Sequence, residues 1–272
     1  MPTCTGTTPI TRNTPVSTTL TVSMSMATAQ KIECIRPEWA APANVRACST
    51  TRVGGVSVGP WAGLNLGDHV EDDAPAVAEN RARLRAQLAL PGEPQWLRQV
   101  HGTQVSVPGA SCECADACFE DRSGRVCAVM TADCLPVLLC NVAGTRVAAV
   151  HAGWRGLLAG VLEYTLTRFS DPPGELLAWL GPAIGPAAFE VGDEVREAFV
   201  TDDPAAAAQF RAHGPGHWLA DLYGLARLRL DRQGVTAVSG GGYCTFSDPQ
   251  RFFSYRRDGV TGRMASLIWL QS

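Results

Sequence analysis

Several things are scarce in this chain, and each scarcity excludes a class of protein. No apolar run approaches the roughly 20 residues that a membrane-spanning helix needs. Positive charge is not in excess: 23 Lys and Arg stand against 26 Asp and Glu, a net charge of −3. The basic residues are also scattered, which argues against a nucleic-acid partner and against a polybasic membrane patch. The N-terminus lacks the basic segment and continuous apolar core of a secretory peptide. The ten cysteines lack the usual Cys-x-x-Cys pairing of a compact structural zinc motif. Histidine is rarer still, with five in 272 residues.

What is present is an ordinary soluble composition, 46% hydrophobic. The length suits one large domain or two small ones, either with a substantial core. Cys127 and Cys140 sit inside apolar runs, where a free thiol behaves as a small hydrophobe. With no secretory signal, the chain reads as a reduced, cytoplasmic protein.

Residues 1–30 are rich in Thr and Ser without apolar periodicity, and read as a disordered tail. One domain is expected over residues 31–272. Residues 45–52 read as a strand, broken by Gly54-Gly55. Asp72 or Asp73 offers a helix N-cap and Pro75 suits the first turn. Val77, Leu84 and Leu88 follow at helical spacing, and Pro91-Gly92 stops the helix near Leu90. Residues 96–107 read as a strand pair or an extended segment, interrupted by Gln99, His101 and Gln104. Three apolar runs, Val126–Thr131, 135–140 and 146–151, read as buried strands, with Val142-Ala-Gly-Thr145 turning the last two into a hairpin. After Gly156, Leu158, Val161, Leu162, Leu166 and Phe169 share one helical face. A strand over Leu176–Leu180, a short helix over 192–200, a helix capped by Asp221 and a strand over 235–239 complete the reading. Such mixing without strict alternation predicts an α+β fold: one domain of mixed β-sheets with flanking helices.

The chemistry concentrates around the second and third apolar runs. Cys134 stands just before one, His151 closes the other, and the glycine-flanked Arg155 follows at once. His101 sits upstream in Gln99-Val-His-Gly102. Two imidazoles and a thiolate make a three-ligand set for catalytic zinc, with a position left for water or substrate. The spacing is not a compact signature. These residues stand out because they lie at strand ends beside Gly or Pro, with Asp133 and Arg155 as charged neighbours whose burial would require a partner. Cys134 reads equally as a nucleophile with His101 or His151 as its base. The turn His151-Ala-Gly-Trp-Arg-Gly156 also reads two ways. It suits a phosphate, with helix N–H groups and the Arg155 fork as donors, or it is an ordinary strand-to-helix turn. A structural zinc site of Cys112, Cys114, Cys118 and Cys127 is the weaker reading of those residues. His213, His217, Arg256 and Arg257 read as solvated.

At these residues the sequence resembles the YfiH-like family, also called the peptidoglycan-editing-factor or multicopper-polyphenol-oxidase (laccase-domain) family. The resemblance runs from about Pro37 to Leu270. It rests on Ser49-Thr-Thr-Arg-Val-Gly-Gly-Val-Ser57, Leu64-Asn-Leu-Gly67, Gln99-Val-His-Gly102, Thr131-Ala-Asp-Cys-Leu-Pro-Val137 and Val150-His-Ala-Gly-Trp-Arg-Gly156. It continues through Leu180-Gly-Pro-Ala-Ile-Gly185, Phe189-Glu-Val-Gly192, Phe252-Phe-Ser-Tyr-Arg-Arg-Asp258 and Thr261-Gly-Arg-Met264. The resemblance implies an α+β fold like that of cysteine hydrolases, with a metal triad at His101, Cys134 and His151. The implied activities are phosphorolysis of purine nucleosides, methylthioadenosine among them, and adenosine deamination. Copper-dependent polyphenol oxidation and editing of peptidoglycan precursors are also implied. Two departures stand out: Glu71 where the pattern usually has glycine, and Tyr243 where a basic residue is common.

Three functions follow as expectations. The first is a zinc enzyme of purine nucleosides, monomeric, with nucleosides and phosphate as its only partners. There Asp133 serves as acid–base group, Arg155 and Arg52 hold phosphate, and Asn65 and Gln99 bind base or ribose. The second is a copper oxidase, since His and Cys ligands suit copper, though five histidines are too few for a multicopper centre. The third is a hydrolase editing peptidoglycan precursors through Cys134 or an activated water.

Overall fold

Strands that are apolar on both faces must be covered on both, and here two stacked sheets between helices supply the cover. The structure, a computed structural model, describes residues 31–109 and 114–272. The tail assigned to residues 1–30 and Cys112 lie outside the described residues. The first half contains β1 (Cys34–Ile35), β2 (Val45–Thr50), α1 (Ala74–Leu88), β3 (Pro94–Gln95), β4 (Val105–Ser106), β5 (Ala117–Glu120) and β6 (Val126–Thr131). At the centre lie β7 (Leu135–Asn141), β8 (Val147–Ala152), α2 (Trp154–Leu158), α3 (Val161–Leu166) and β9 (Leu176–Leu180). The remainder is β10 (Glu190–Gly192), α4 (Asp193–Asp202), β11 (Phe210–Ala212), β12 (His217–Ala220), α5 (Leu222–Arg232), β13 (Ala237–Gly240), α6 (Tyr255–Asp258) and β14 (Met264–Leu270).

One sheet has the order β1-β2-β14-β6-β3 and the other β13-β9-β7-β8-β5-β4, while β10-β12-β11 form a small third sheet. Both large sheets are antiparallel at the centre and mix in parallel pairs toward their edges. The two-residue alternation of the strands sorts side chains between layers. Leu138, Cys140, Val147 and Ala149 point inward and meet Cys127, Val129 and Ile268 between the sheets. Val137, Leu139, Ala148 and Val150 point outward onto Val161 and Leu162 of α3 and Leu225 and Ala226 of α5. On the far side, Cys48, Ala128 and Leu267 pack with Leu84 of α1. The α+β reading with mixed sheets in one domain therefore describes the molecule. Among the described residues no helix is long and apolar enough to cross a membrane.

The local signals hold where capping chemistry is explicit. Asp73 accepts from the Ala76 N–H with Pro75 in the first turn of α1, and Asp221 accepts from the Gly224 N–H at the start of α5. Ala89, left-handed at φ 47, ends α1 just before the expected stop. Two expectations change. The helix after Gly156 is two helices, because Gly160 turns left-handed at φ 94 between α2 and α3. Within residues 96–107 only Val105–Ser106 form a strand, and the N–H groups of residues 100–102 bond to a carboxylate instead, as described below. Residues 213–216 turn between β11 and β12, and the exposed His213 and His217 each lie 3.4 Å from Glu190. Glu71 adopts φ 64, a left-handed conformation that favours glycine.

Candidate metal centre and its pocket

The β7–β8 hairpin brings two of the predicted ligands together. Its register sets Pro136 opposite His151, so Cys134, one step before β7, lies beside the imidazole. His101 arrives from the loop between β3 and β4. Its Nε2 lies 3.8 Å from Cys134 Sγ, and the two imidazoles stand edge to face at 4.8 Å. Donor atoms of His101, Cys134 and His151 all lie within 4.8 Å of one another, the one such group among the described residues. His101 (φ 60) and Asp133 (φ 96) both hold left-handed backbone, a strain that concentrates at functional sites.

A residue not singled out from sequence holds this arrangement. Asp116 is fully buried, and its Oδ1 lies 2.8 Å from His151 Nδ1. The same carboxylate accepts the N–H groups of Val100, His101 and Gly102 at 3.2, 2.9 and 2.7 Å. One side chain thereby orients the His151 ring, leaving Nε2 toward the cluster, and fixes the His101 loop. Burial pushes the Asp116 carboxyl up, but His151 and these N–H donors outweigh it and hold it below its ordinary range. The thiol behaves alike. Burial raises Cys134, yet the facing His151 and the hydrogen bond with His101 bring it down to about 6. Burial lowers His151, and the Cys134 charge with Asp116 reverses this, to about 9.

Close approach here requires glycine. A Cβ at Gly153 would lie 2.9 Å from Cys134 Sγ and 3.0 Å from His101 Cδ2. The cluster opens on a cavity of about 540 Å³. Met130, Trp154, Ile184, Phe189 and Tyr255 form apolar wall, Arg155, Arg256 and Arg263 supply cations, and His69 adds an imidazole whose pKa burial and the Arg263 charge lower.

The structure brings Gln99, His101, Asp133, Cys134, His151 and Arg155 to this cavity, and leaves Arg52 and Asn65 out of its lining. Gln99 exchanges two hydrogen bonds with the Met130 backbone, at 2.8 and 2.7 Å. Asp133 accepts from the Thr245 hydroxyl and from the Arg256 N–H, both at 2.6 Å. Arg155 is exposed and stacks on Trp154 at 4.3 Å. Arg52 donates to the carbonyls of Ala62 and Pro249 and lies over Phe253. Asn65 is fully buried, accepting from the N–H groups of Gly67 and Arg263 and donating to Gly67 O and Asp72. Arg256 and Arg257 are not simply solvated. Arg256 faces the cavity, and Arg257 closes on the carbonyls of Thr245, Phe246 and Phe252. Besides Asp116, sequence reasoning passed over His69 and Arg263. The signals were faint: an acid within an apolar run at 115–119, and an arginine in Thr261-Gly-Arg-Met264.

The donor chemistry suits one metal ion. His69 stands at the cavity but outside the cluster, and His213 and His217 are turned to Glu190, so the histidines do not assemble a second centre. A profile of the family described as multi-copper polyphenol oxidoreductase laccase matches residues 46–271. The chain belongs to this family. A relative in Shigella flexneri, named purine nucleoside phosphorylase YfiH, is 59% identical over 240 residues, covering 87% of this chain and 98% of the relative. Its namesake in Escherichia coli is 58% identical over 240 residues, with the same coverage. Protein NMB0706 of Neisseria meningitidis, a solved structure, is 53% identical with a TM-score of 0.84, over 88% of this chain and 99% of that one. The family membership expected from the motifs therefore stands, and its laccase description accords with a metal site without specifying the ion.

Proposed function

We propose that this chain is a cytoplasmic, zinc-dependent enzyme of purine nucleosides. Its main reaction is phosphorolysis of adenosine, inosine, guanosine and methylthioadenosine, with adenosine deamination at the same site. The observation that carries this is a His–Cys–His cluster opening on a cavity with apolar walls for a flat base and several cations for phosphate. The names of the relatives above support the same reading. His101, Cys134 and His151 would hold the ion, and that ligand set suits zinc. When bound, zinc would supply Lewis acidity and the means to activate a water near neutral pH.

The chain's own residues do the rest. Trp154, Ile184, Phe189 and Tyr255 exclude water from the base, and the guanidinium groups draw phosphate toward the ribose. In phosphorolysis a phosphate oxygen bonds to C1′ as the C1′–N9 bond breaks. The bond's electron pair leaves on the purine, which takes up a proton. Asp133, the one carboxylate in the lining, keeps unused lone pairs after its two hydrogen bonds and serves as acid–base group.

A second reading has one observation in its favour. The Cys134 thiol, brought down to about 6, is a competent nucleophile for an amide in a peptidoglycan precursor. Copper-dependent phenol oxidation draws on the family description, but the donor set serves one ion rather than several. The test compares inosine with and without phosphate, and adenosine alone, using metal-replete and metal-stripped protein. Phosphate-dependent loss of inosine that disappears on stripping and returns with zinc is expected. Undiminished turnover in stripped protein would overturn the metal's role, and turnover indifferent to phosphate would overturn phosphorolysis.

A further inference from the structure

The cavity holds three guanidinium groups, and they are not equivalent. Arg155 is exposed and stacked on Trp154, and Arg256 is exposed with Nη1 donating to the Glu190 carbonyl. Arg263 is half-buried and anchored along its length. Its N–H donates to Asn65 Oδ1 at 2.8 Å, and Nη1 donates to the carbonyls of Thr261 and Gly262, both at 3.0 Å. Its stem lies against Gly67, where a Cβ would come within 2.8 Å of Cγ. Asn65 is itself locked to Asp72 and Gly67, so the arginine is aimed by a buried network.

We propose that Arg263 fixes the inorganic phosphate in this cavity, an inference that rests on the phosphorolytic reading above. The guanidinium bonds only main-chain carbonyls, through Nη1, and among the described residues no carboxylate pairs with it. That leaves Nε and Nη2, the side-on edge that grips two oxygens of a tetrahedral oxyanion at once. A half-buried cation without a carboxylate calls for a counter-charge, and phosphate provides one. Burial lowers the Arg263 pKa, and the charges of Cys134 and Asp133 across the cavity offset this only in part. Asn65, which sequence reasoning assigned to substrate, then acts at one remove as the positioning residue of Arg263.

The experiment measures KM for phosphate and for inosine in R263Q, R263K and G67A, with melting temperature as the check on folding. Equilibrium dialysis of inorganic phosphate accompanies the kinetics. In R263Q and G67A the KM for phosphate should rise about tenfold or more, as loss of charge-assisted hydrogen bonds implies, with KM for inosine changed less than about twofold. R263K, which keeps the charge without the fork, should fall between. G67A keeps the arginine and displaces it, so it separates position from charge. Unchanged phosphate affinity in folded R263Q and G67A would overturn the proposal. So would an Arg263-dependent hold on a nucleoside 5′-monophosphate tighter than that on inorganic phosphate, which would assign the fork to a nucleotide. Phosphate binding that needs Arg263 in a protein without phosphorolysis would leave the subsite standing and remove the reaction.

Discussion

Cys134 stands just before β7 and Cys140 near its far end, and their thiols are driven in opposite directions. Cys140 is completely buried among aliphatic side chains, and burial alone pushes its thiol up to about 12. Cys134 also pays a desolvation penalty, yet its pKa is about 6 because two imidazoles face it. Desolvation by itself makes a cysteine inert; desolvation beside a cation makes it an anion. The reactive position in this protein is therefore marked by the company of the thiol and not by its exposure. That company depends on a hairpin register and on one carboxylate.

The comparison breaks most visibly by substitution of each cysteine in turn. C134A should lose bound metal by elemental analysis and lower phosphorolysis by about three orders of magnitude or more, the scale of a lost essential group. C140V should keep its metal and its rate within about twofold, since Val replaces a thiol that only packs. Metal retained in C134A would remove the proposed role of the cluster. A smaller effect is expected from D116N. The amide still reaches His151 but donates where the carboxylate accepts, so zinc affinity should fall about 10–100-fold, and the melting temperature should fall by several degrees as buried N–H groups of the His101 loop lose an acceptor. Affinity equal to wild type in a competition with a chelator would show that His151 is oriented by other contacts.

The smallest effect tests Cys140 itself. Its folded pKa lies above its unfolded value, so its contribution to stability is complete below the unfolded pKa, about 8.5, and is lost as pH rises toward about 12. Between about pH 9 and 10 the wild type should lose about 1 kcal/mol more unfolding free energy than C140V. Denaturant unfolding at the two pH values gives the difference, and parallel losses in both proteins would show that Cys140 is not the group concerned.

Legibility from sequence followed the range of the interactions involved. The strands β6, β7 and β8, the hairpin between the last two, and the capped starts of α1 and α5 depend on patterns within a few residues. All were readable. His101, Cys134 and His151 were readable as a set because their residue types are rare and lie at strand ends, and the motif resemblance named the same three. Asp116 was not, because its function depends on reaching four groups in two segments that only the fold brings together. Arg52 and Asn65 show the converse. A guanidinium suited to phosphate and an amide suited to base or ribose suggested substrate contact, but nearby carbonyls and N–H groups satisfy them inside the fold. The break at Gly160 was hidden because an apolar stripe continues across it.

Glu71 carries a consequence of a different kind. It stands in left-handed backbone where glycine is usual in the related pattern, between the loop that seats Asn65 and the cap of α1. Asp116 carries a larger one. Since a single carboxylate secures the His101 loop and the His151 ring, the coordinating atoms are assembled by folding and not by the arrival of an ion. Zinc fingers need their metal to fold at all. Were an ion held here, a molecule that lost it would keep its donor atoms gathered for another, because Asp116 and not the ion secures them.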